Sequence, residues 1–372
     1  MIYLDYAAAT PMDPRVLEAM LPYLQDDFGN ASSIHQFGQK SRKAIDEARS
    51  KCIELLGAYG AHEIIFTGSG TESCNMAIMG AAFARKEKGN HIIISEIEHP
   101  AVREAAYYLR DNFDFELTEI APNSEGLIST ADIEAAIKKE TILVSVIYAN
   151  NEIGTVQPIK DIAALARERG VLFHTDACQA PGYENINVSE LQPDLMTLNG
   201  SKIYGPKGIG LLYIREGLQI TPHIHGGGQE FRMRGGTENT AAIVGFTKAL
   251  ELILTENHSE KIAKLRDKLL DELLKVPGLT LNGSRENRLA NNINVHTPGL
   301  LGETLVMRLD IAGLAASSGS ACASGKTDAS HVLLALGQSP EQAQQSLRLT
   351  LGHSTTEKEI TEAVRIFQGI FA

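Results

Sequence analysis

From residue 38 to about residue 240, two patterns of hydrophobic and polar positions alternate along the chain. Short apolar runs, typical of strands buried in a parallel sheet, occur in EIIFTG, HIIIS, TILVSVIY and VLFHTDA. Between them lie longer segments with apolar residues at helical spacing, such as GQKSRKAIDEARSKCIELLG, TESCNMAIMGAAFARKEKG, PAVREAAYYLRDN and IKDIAALARERG. This alternation predicts an α/β fold in which helices cover both faces of a mainly parallel sheet.

The pattern changes near residue 240. From there to Pro277-Gly278 the apolar positions keep helical spacing, which predicts long helical structure that joins two domains. The remaining segments, including ANNINVHTPG and TEKEITEAVRIFQGIF, suit a smaller α+β domain. A length of 372 residues also favours two domains.

Composition narrows the function classes. The net charge of −12 argues against a nucleic-acid partner, because such proteins normally carry a basic surface. No apolar run approaches the ~20 residues needed to span a membrane, and MIYLDYAAATP does not resemble a secretory signal. The four cysteines have no metal-ligand spacing. We therefore expect a cytoplasmic protein without a membrane partner or a metal site.

Candidate ligand-binding residues follow the predicted strands, where open α/β sheets bind ligands. In FTGSGTES, the small residues around Gly70 let backbone N–H groups approach an anion, and Thr71 adds a hydroxyl. An ordinary strand-to-helix turn explains this stretch about as well. Asp176 lies at the end of the strand predicted in VLFHTDA, and Gln179 comes three residues later. A buried carboxylate there needs a cationic partner, such as a protonated ring nitrogen, or else it caps the next turn.

A lysine and a histidine complete the candidate set. Lys202 lies just past an apolar strand, where a lysine among small residues can form a Schiff base, whereas Lys207 suits a solvated loop. His99 begins a helix and could stack on a planar ligand or transfer protons, or simply start the helix. An anion cradle, a carboxylate, a Schiff-base lysine and an imidazole are together what pyridoxal 5′-phosphate needs.

One cysteine stands in an unusual context. Cys322 lies in AASSGSACASGKTDASH, residues 315–331, which has the composition of a flexible loop rather than of a core segment. The thiol is either incidental or carried to a place where it reacts.

Ordered motifs along essentially the whole chain resemble the cysteine desulfurases of the NifS/IscS type, within the class V aminotransferases. The motifs are YLDYAAATP, FGNASSIH, GTESCNMAI, EHPAV, NNEIGTVQPI, HTDACQA, KIYGPKGIG, HGGGQEFRMRGGTEN, SSGSAC and SLRLTLG. The resemblance implies the fold of type I pyridoxal-phosphate enzymes. It implies a large cofactor-binding domain over 12–255 and a small domain over 1–11 and 256–372, with a mobile cysteine loop at about 315–331.

The resemblance also implies cofactor contacts. Lys202 would hold pyridoxal 5′-phosphate as a Schiff base, Asp176 would pair with the pyridinium nitrogen, and Gln179 would bind the ring hydroxyl. His99 would stack on the ring and help to transfer protons. The residues implied near the phosphate and the rest of the cofactor are Gly70, Thr71, Asn151, Asn199, Ser201 and, from the partner subunit of a homodimer, Thr237.

For the reaction, the resemblance implies that L-cysteine is converted to L-alanine. Arg348, as a bidentate clamp, and Asn151 would bind the substrate carboxylate, with Asn30 also at the substrate. Cys322 would attack the substrate sulfur and become a persulfide. An acceptor protein, such as an iron–sulfur scaffold or a tRNA-thiolation relay, would then receive that sulfur.

The chain departs from the family pattern beside the lysine. The family usually has Ser-x-His-Lys, and this chain has Asn199-Gly200-Ser201-Lys202, so we expect a retained but weaker cofactor site. Two other functions remain open. One is a different pyridoxal-phosphate activity, such as selenocysteine lyase or an aminotransferase, although an aminotransferase needs no mobile thiol. The other is a catalytically weak subunit that positions a sulfur-assembly partner.

Overall fold

The computed structural model of the chain describes residues 1–318 and 329–371. Cys322 lies outside these residues. The strands are β1 (Ile2–Tyr3), β2 (Ile64–Thr67), β3 (His91–Ser95), β4 (Glu116–Ile120), β5 (Thr141–Ser145), β6 (Leu172–Asp176), β7 (Leu195–Asn199), β8 (Gly210–Ile214), β9 (Thr280–Leu281), β10 (Asn292–His296), β11 (Leu314–Ala315) and β12 (Ser346–Thr350). The helices are α1 (Pro14–Gln25), α2 (Gln36–Leu56), α3 (Gly70–Arg85), α4 (Pro100–Phe113), α5 (Thr130–Ala136), α6 (Ile159–Glu168), α7 (Val188–Leu191), α8 (Thr240–Thr255), α9 (Ser259–Leu273), α10 (Gly302–Ile311), α11 (His331–Ala335), α12 (Pro340–Gln344) and α13 (Glu357–Phe371).

A seven-stranded sheet forms the centre of the molecule, in the order β2-β8-β7-β6-β5-β3-β4. Strand β8 runs antiparallel to β2 and β7, and the other neighbouring strands are parallel. Strands β3, β5, β6 and β8 are buried along their whole length, and burial on both faces explains the apolar runs at 92–94, 142–144 and 211–214 in three of them. The predicted α/β fold with a mainly parallel sheet is confirmed.

Buried side chains cover both faces of this sheet. Successive residues of a strand point to opposite faces, so Ile64 and Phe66 of β2 belong to one apolar cluster while Ile65 belongs to another. A third cluster packs the antiparallel sheet β12-β10-β9 against α9, α10 and α13, and it includes Ile2 and Leu4 from the chain's start. We propose the division into domains 12–255 and 1–11 with 256–372 on this basis.

The sequence patterns missed or misjudged two features. Strand β4 was not predicted, because its sequence ELTEI is rich in polar residues, and it lies at the edge of the sheet, where only Ile120 is buried. The long helical structure after residue 240 is two helices, since the backbone leaves helical geometry at Glu256, with φ −95° and ψ 88°. The side chain of Asn257 then accepts a hydrogen bond from the N–H of Ser259 and starts α9.

No helix in the described parts of the chain combines the length and the apolar character that crossing a membrane requires.

Candidate active site

One cavity, of about 160 Å³, lies beyond the carboxyl ends of the parallel strands. It is formed where β6 and β7 end and where α3 and α4 begin, together with the segment after β1. Its lining includes nine of the residues singled out from the sequence: Gly70, Thr71, His99, Asn151, Asp176, Gln179, Asn199, Lys202 and Arg348. Residues up to 278 positions apart in the sequence, from Gly70 to Arg348, therefore meet at one place.

The start of α3 forms the anion-binding side of the cavity. Ser69 caps this helix by accepting a hydrogen bond from the N–H of Glu72 at 3.1 Å. The first amides of a helix have no intrahelical acceptor, so the N–H groups of Gly70 and Thr71 can bind an anion there. A Cβ atom at position 70 would lie 3.0 Å from the Cys178 sulfur and 3.1 Å from the Asn199 Cβ. A glycine leaves room for this close approach without a shift of Cys178 or Asn199.

Asp176 ends β6 with its carboxylate almost completely buried. Its Oδ1 accepts a hydrogen bond from the N–H of Cys178 at 3.0 Å, and its Oδ2 accepts one from the thiol of Cys74 at 3.6 Å. Burial, reinforced by the negative charge of Asp176, raises the pKa of both thiols well above the usual range. Both cysteines are therefore neutral donors beside a carboxylate. Asp176 caps the turn at Cys178, and this role is compatible with the binding of a cationic ligand, so the two interpretations of this residue do not exclude each other.

The amine of Lys202 lies against the segment that follows β1. It donates hydrogen bonds to the main-chain oxygen of Ala7, at 2.9 Å, and to that of Ala8. The Ala7 oxygen also accepts a hydrogen bond from the Gln179 amide at 3.0 Å. Main-chain carbonyls hold the amine without neutralising it, so the lysine can exchange these contacts for a bond to a carbonyl carbon.

His99 occupies the N-cap position of α4. Its Nδ1 accepts a hydrogen bond from the N–H of Ala101 at 3.1 Å, and burial lowers the pKa of the imidazole. Because Nδ1 is the acceptor, the neutral ring carries its proton on Nε2. His99 therefore does start the helix, which was one of the two interpretations of this residue. Its Nε2 remains the atom able to exchange a proton.

A buried guanidinium defines the opposite side of the cavity. Arg348, on β12, donates from Nη1 to the main-chain oxygen of Asn151 at 3.0 Å and from Nη2 to the Asp5 carboxylate at 2.9 Å. Its Nε is buried with no hydrogen-bond partner among the described residues. A charged donor without an acceptor in a buried cavity is suited to a carboxylate ligand.

The other predicted site residues are placed differently. Ser201 contacts Asn199, whose Oδ1 accepts from its N–H and hydroxyl at 3.3 and 3.4 Å, so both side chains shape the turn before Lys202. Thr237 is exposed and lines a separate cavity beside Phe66 and Gly68. Asn30 is exposed, and its Oδ1 accepts a hydrogen bond from the N–H of Ser32. The structure therefore does not bring Thr237 or Asn30 to this chain's own cavity.

Three contributors to the site escaped the sequence analysis, namely Asp5, Ala7 and Ala8. Two of them act through main-chain oxygens, which leave no signature in residue type. Asp5 could have been suspected, because a carboxylate beside an apolar strand needs a cation. Nothing local, however, indicates that its cation is Arg348.

Comparisons with known proteins agree with this geometry. Residues 2–362 match the family described as Aminotransferase class-V. The protein of Dictyoglomus turgidum named cysteine desulfurase IscS is 46% identical and covers 99% of this chain and 94% of its own length. The cysteine desulfurase IscS of Methanosarcina thermophila is also 46% identical, over 98% of this chain and 90% of its own length.

Solved structures give the same result. A NifS-like protein superposes with a TM-score of 0.93 at 33% identity, covering 99% of this chain and 98% of its own. The protein SspA, solved in complex with cysteine, superposes with a TM-score of 0.84 at 39% identity, covering 94% of this chain and 99% of its own. By sequence and by fold, the chain belongs to the class-V aminotransferase family and, within it, to the cysteine desulfurases of the NifS/IscS type.

Proposed function

We propose that the protein removes the sulfur atom of L-cysteine with the help of pyridoxal 5′-phosphate, and that it releases L-alanine. The observation that carries this proposal is the meeting of an amine, a carboxylate, a helix N-terminus and a guanidinium in one cavity. Relatives named cysteine desulfurase share 46% of the sequence, and a structural neighbour was solved with cysteine.

The residues that line the cavity suit the chemistry of the cofactor. The α3 N-terminus suits a phosphate group, and Gly70 keeps the approach to it open. Asp176 would keep the ring nitrogen protonated, Gln179 would face the ring hydroxyl, and Lys202 would form the Schiff base. Asn199 and Ser201 would border the phosphate side, with Asn151 on the far side. When bound, pyridoxal 5′-phosphate supplies an electron sink that makes loss of the substrate's α-proton possible.

The side chains around the substrate would divide the remaining work. Arg348 would bind the substrate carboxylate through its unused Nε and a neighbouring Nη. Asn151, whose carbonyl already orients Arg348, would add a contact to the same carboxylate. His99 would stack on the ring and move a proton at Nε2, because its Nδ1 is engaged in capping α4. Lys202, once released from Ala7 and Ala8, would act as a second proton carrier.

The sulfur would pass to Cys322. The thiolate attacks the substrate sulfur, the carbon–sulfur bond breaks, and a sulfur–sulfur bond forms. The overall change converts L-cysteine and one thiol into L-alanine and one persulfide, so no oxidant or reductant is consumed. The persulfide would then react with a thiol of an acceptor protein in iron–sulfur cluster assembly or tRNA thiolation. Cys52, Cys74 and Cys178 are all free thiols, which supports work in a reducing compartment such as the cytoplasm.

A homodimer is part of the proposal. Six large apolar side chains between residues 17 and 37 are exposed: Leu17, Leu21, Leu24, Phe28, Ile34 and Phe37. Ile34 is 94% exposed, and Phe28 and Phe37 stack with ring centres 5.6 Å apart. So much apolar surface within one segment is typical of an interface. Across it, Thr237 would reach the partner's phosphate site, and Asn30 would approach the partner's substrate.

Mass spectrometry of the Cys322 peptide tests the function. The cofactor-loaded protein is mixed with L-cysteine without reductant, and alanine release is measured in parallel. We expect one added sulfur on Cys322 in the wild type. The variant Cys322→Ser should lack the added sulfur. The variant Lys202→Ala should lose the visible absorbance of the Schiff base together with alanine release.

Each other outcome contradicts a defined part of the proposal. Alanine release with an unmodified Cys322 would place the sulfur on another group. Alanine release that survives in Lys202→Ala would exclude this lysine as the Schiff-base residue. A wild-type protein that produces neither alanine nor persulfide would favour the subunit that only positions a sulfur-assembly partner.

A further inference from the structure

The chain on either side of residues 319–328 is tied to the candidate site. On the N-terminal side, Ser317 and Arg348 exchange two main-chain hydrogen bonds, of 2.7 and 3.2 Å, in an antiparallel bridge. On the C-terminal side, the Ser330 hydroxyl donates to the Glu152 carboxylate at 2.5 Å. Arg348 is the candidate carboxylate-binding residue, and Glu152 directly follows Asn151.

The contact between Ser330 and Glu152 is built into the core. Both residues are buried, with 4% and 8% of their surface exposed. The main-chain oxygen of Glu152 accepts hydrogen bonds from the side-chain amides of Asn292 and Asn294 on β10, at 3.3 and 3.1 Å. Its main-chain N–H donates to the Asn150 side chain at 2.9 Å. The carboxylate is therefore held on a rigid support.

A second contact follows immediately along the chain. His331 donates from Nε2 to the main-chain oxygen of Glu98 at 3.0 Å, beside the candidate proton carrier His99. Burial lowers the pKa of His331 to about 4, so the ring is neutral and this hydrogen bond persists at physiological pH. The next residues, Val332 and Leu333, pack into the apolar cluster of the large sheet.

The hydroxyl of Ser330 does more than cap a helix, because it also donates to the buried carboxylate of Glu152. Ser330 also caps α11, since its Oγ accepts a hydrogen bond from the N–H of Leu333 at 3.3 Å, but capping requires only the hydroxyl. Burial raises the pKa of Glu152 to about 7, and the Ser330 hydrogen bond and the charge of Arg348 act against this rise. The carboxylate is thus part of the electrostatic surroundings of Arg348, and the hydroxyl links it to the chain that follows Cys322.

We propose that Glu152 and Ser330 are positioning residues for sulfur transfer, because their hydrogen bond ties Ser330, eight residues after Cys322 in the sequence, to the loop that carries Asn151. This inference rests on the proposed function. It assigns the two residues to the transfer of sulfur and not to the binding of L-cysteine or of the cofactor. Loss of the contact should therefore slow one step selectively.

The test separates sulfur transfer from substrate binding in the cofactor-loaded protein. Persulfide formation on Cys322 is followed in a single turnover by mass spectrometry, and L-cysteine binding is followed by the change in cofactor absorbance. Ser330→Ala should form persulfide roughly tenfold more slowly, as expected for the loss of a buried hydrogen bond. Its half-saturation with L-cysteine should equal that of the wild type. Ser330→Thr keeps a hydroxyl and should restore most of the rate.

A matched control is available in the next helix. Ser339 caps α12 by accepting a hydrogen bond from the N–H of Gln342 at 3.2 Å, and it is exposed. Ser339→Ala therefore removes a helix cap without touching a carboxylate, and it should form persulfide at the wild-type rate. Glu152→Gln provides a second probe of the contact, with an expected slowing in the same direction as Ser330→Ala.

The outcomes distinguish the inference from the proposed function. If the wild type modifies Cys322 and Ser330→Ala does so at the same rate, the positioning role is refuted. Equal slowing in Ser330→Ala and Ser339→Ala would assign the effect to helix capping and would also refute it. If the L-cysteine concentration that gives half-saturation rises by the same factor by which persulfide formation slows, the contact serves substrate binding and the positioning role is refuted. If the wild type forms no persulfide on Cys322, the proposed function fails first and the inference falls with it.

Discussion

The buried ion pair between Arg49 and Glu230 gives the sharpest prediction about stability. Arg49, on α2, makes two hydrogen bonds to the carboxylate, of 2.7 and 2.9 Å, and the two side chains are only 4% and 3% exposed. Glu230 Oε2 also accepts from the N–H of Phe66 at 2.9 Å. The carboxylate therefore satisfies a buried cation and a buried main-chain donor at the same time.

The variant Glu230→Ala should lower the free energy of unfolding by about 3–5 kcal/mol, the usual cost of removing one partner of a buried pair. Among the described residues, Arg49 would keep only the main-chain oxygen of Ile64 as an acceptor of its hydrogen bonds. Glu230, Phe231 and Arg232 all have positive φ, of 44°, 55° and 70°. Alanine at position 230 has a Cβ atom and carries the same backbone strain as glutamate, so the substitution releases none of it and the expected loss stays in the stated range.

Urea unfolding of the cofactor-loaded protein, followed by circular dichroism, measures this loss as a lower midpoint with an unchanged m-value. Glu362→Ala is the matched control, because its pair with Arg365 is exposed, at 43% and 75%. That variant should change stability by less than about 0.5 kcal/mol. If Glu230→Ala and Glu362→Ala lower the free energy of unfolding equally, the buried pair contributes no more to stability than the exposed pair. That result would refute the reasoning.

Three further predictions concern the site and its support. Asp5→Ala should raise the KM for L-cysteine roughly tenfold with a smaller effect on kcat, because Arg348 loses a charged hydrogen bond that orients it. Burial lowers the pKa of His174 to about 4, below the unfolded value of 6.5, so the unfolded state binds more protons between these values and stability falls as the pH falls. Between pH 6.5 and pH 5 the wild type should lose about 2 kcal/mol more than His174→Gln in urea unfolding. Gly210→Ala should weaken binding of pyridoxal 5′-phosphate roughly tenfold, measured by absorbance titration, since its Cβ would lie 2.5 Å from the Ser69 carbonyl carbon.

Controls make these three results decisive. Asp5→Asn keeps an acceptor for Arg348 and should restore most of the affinity, so equal KM values for Asp5→Ala and the wild type would exclude the orienting role. If the free energy of unfolding changes with pH in the same way in His174→Gln and in the wild type, His174 is not the group that binds a proton in the unfolded state but not in the folded state. Gly60→Ala meets no atom within 4 Å and should bind the cofactor normally. Normal binding by Gly210→Ala as well would show that the Ser69 turn can shift without cost.

The residues explain why much of the fold and part of the site could be predicted. Strands buried on both faces, such as β3 and β8, are apolar over most of their length, and this pattern is visible in the sequence. Lys202 and Asp176 could be recognised as site residues because each is a charged residue at or just after the end of an apolar strand, where a charge needs a partner. Strand β4 was invisible because an edge strand tolerates polar residues.

The unpredicted part of the site depends on contacts between distant segments. The pairing of Asp5 with Arg348 spans 343 residues, and neither neighbourhood carries a mark of the other. The contact of Ser330 with Glu152 is similar, since a serine before a short helix is usually only a cap. The carbonyls of Ala7 and Ala8 depend on backbone direction, which residue type does not encode.

The segment after β1 also determines the order in which the molecule can be completed during synthesis. Ile2 pairs with Leu314, Asp5 binds Arg348, and the N–H of Ala7 donates to the Thr350 hydroxyl at 2.9 Å. Residues 2–7 therefore wait for residues 314–350, which are made roughly 20–70 seconds later at ordinary rates of translation. During that interval the large sheet can assemble, while the segment after β1 still lacks its partners on β11 and β12. The site is thus completed only after residue 350 has been made.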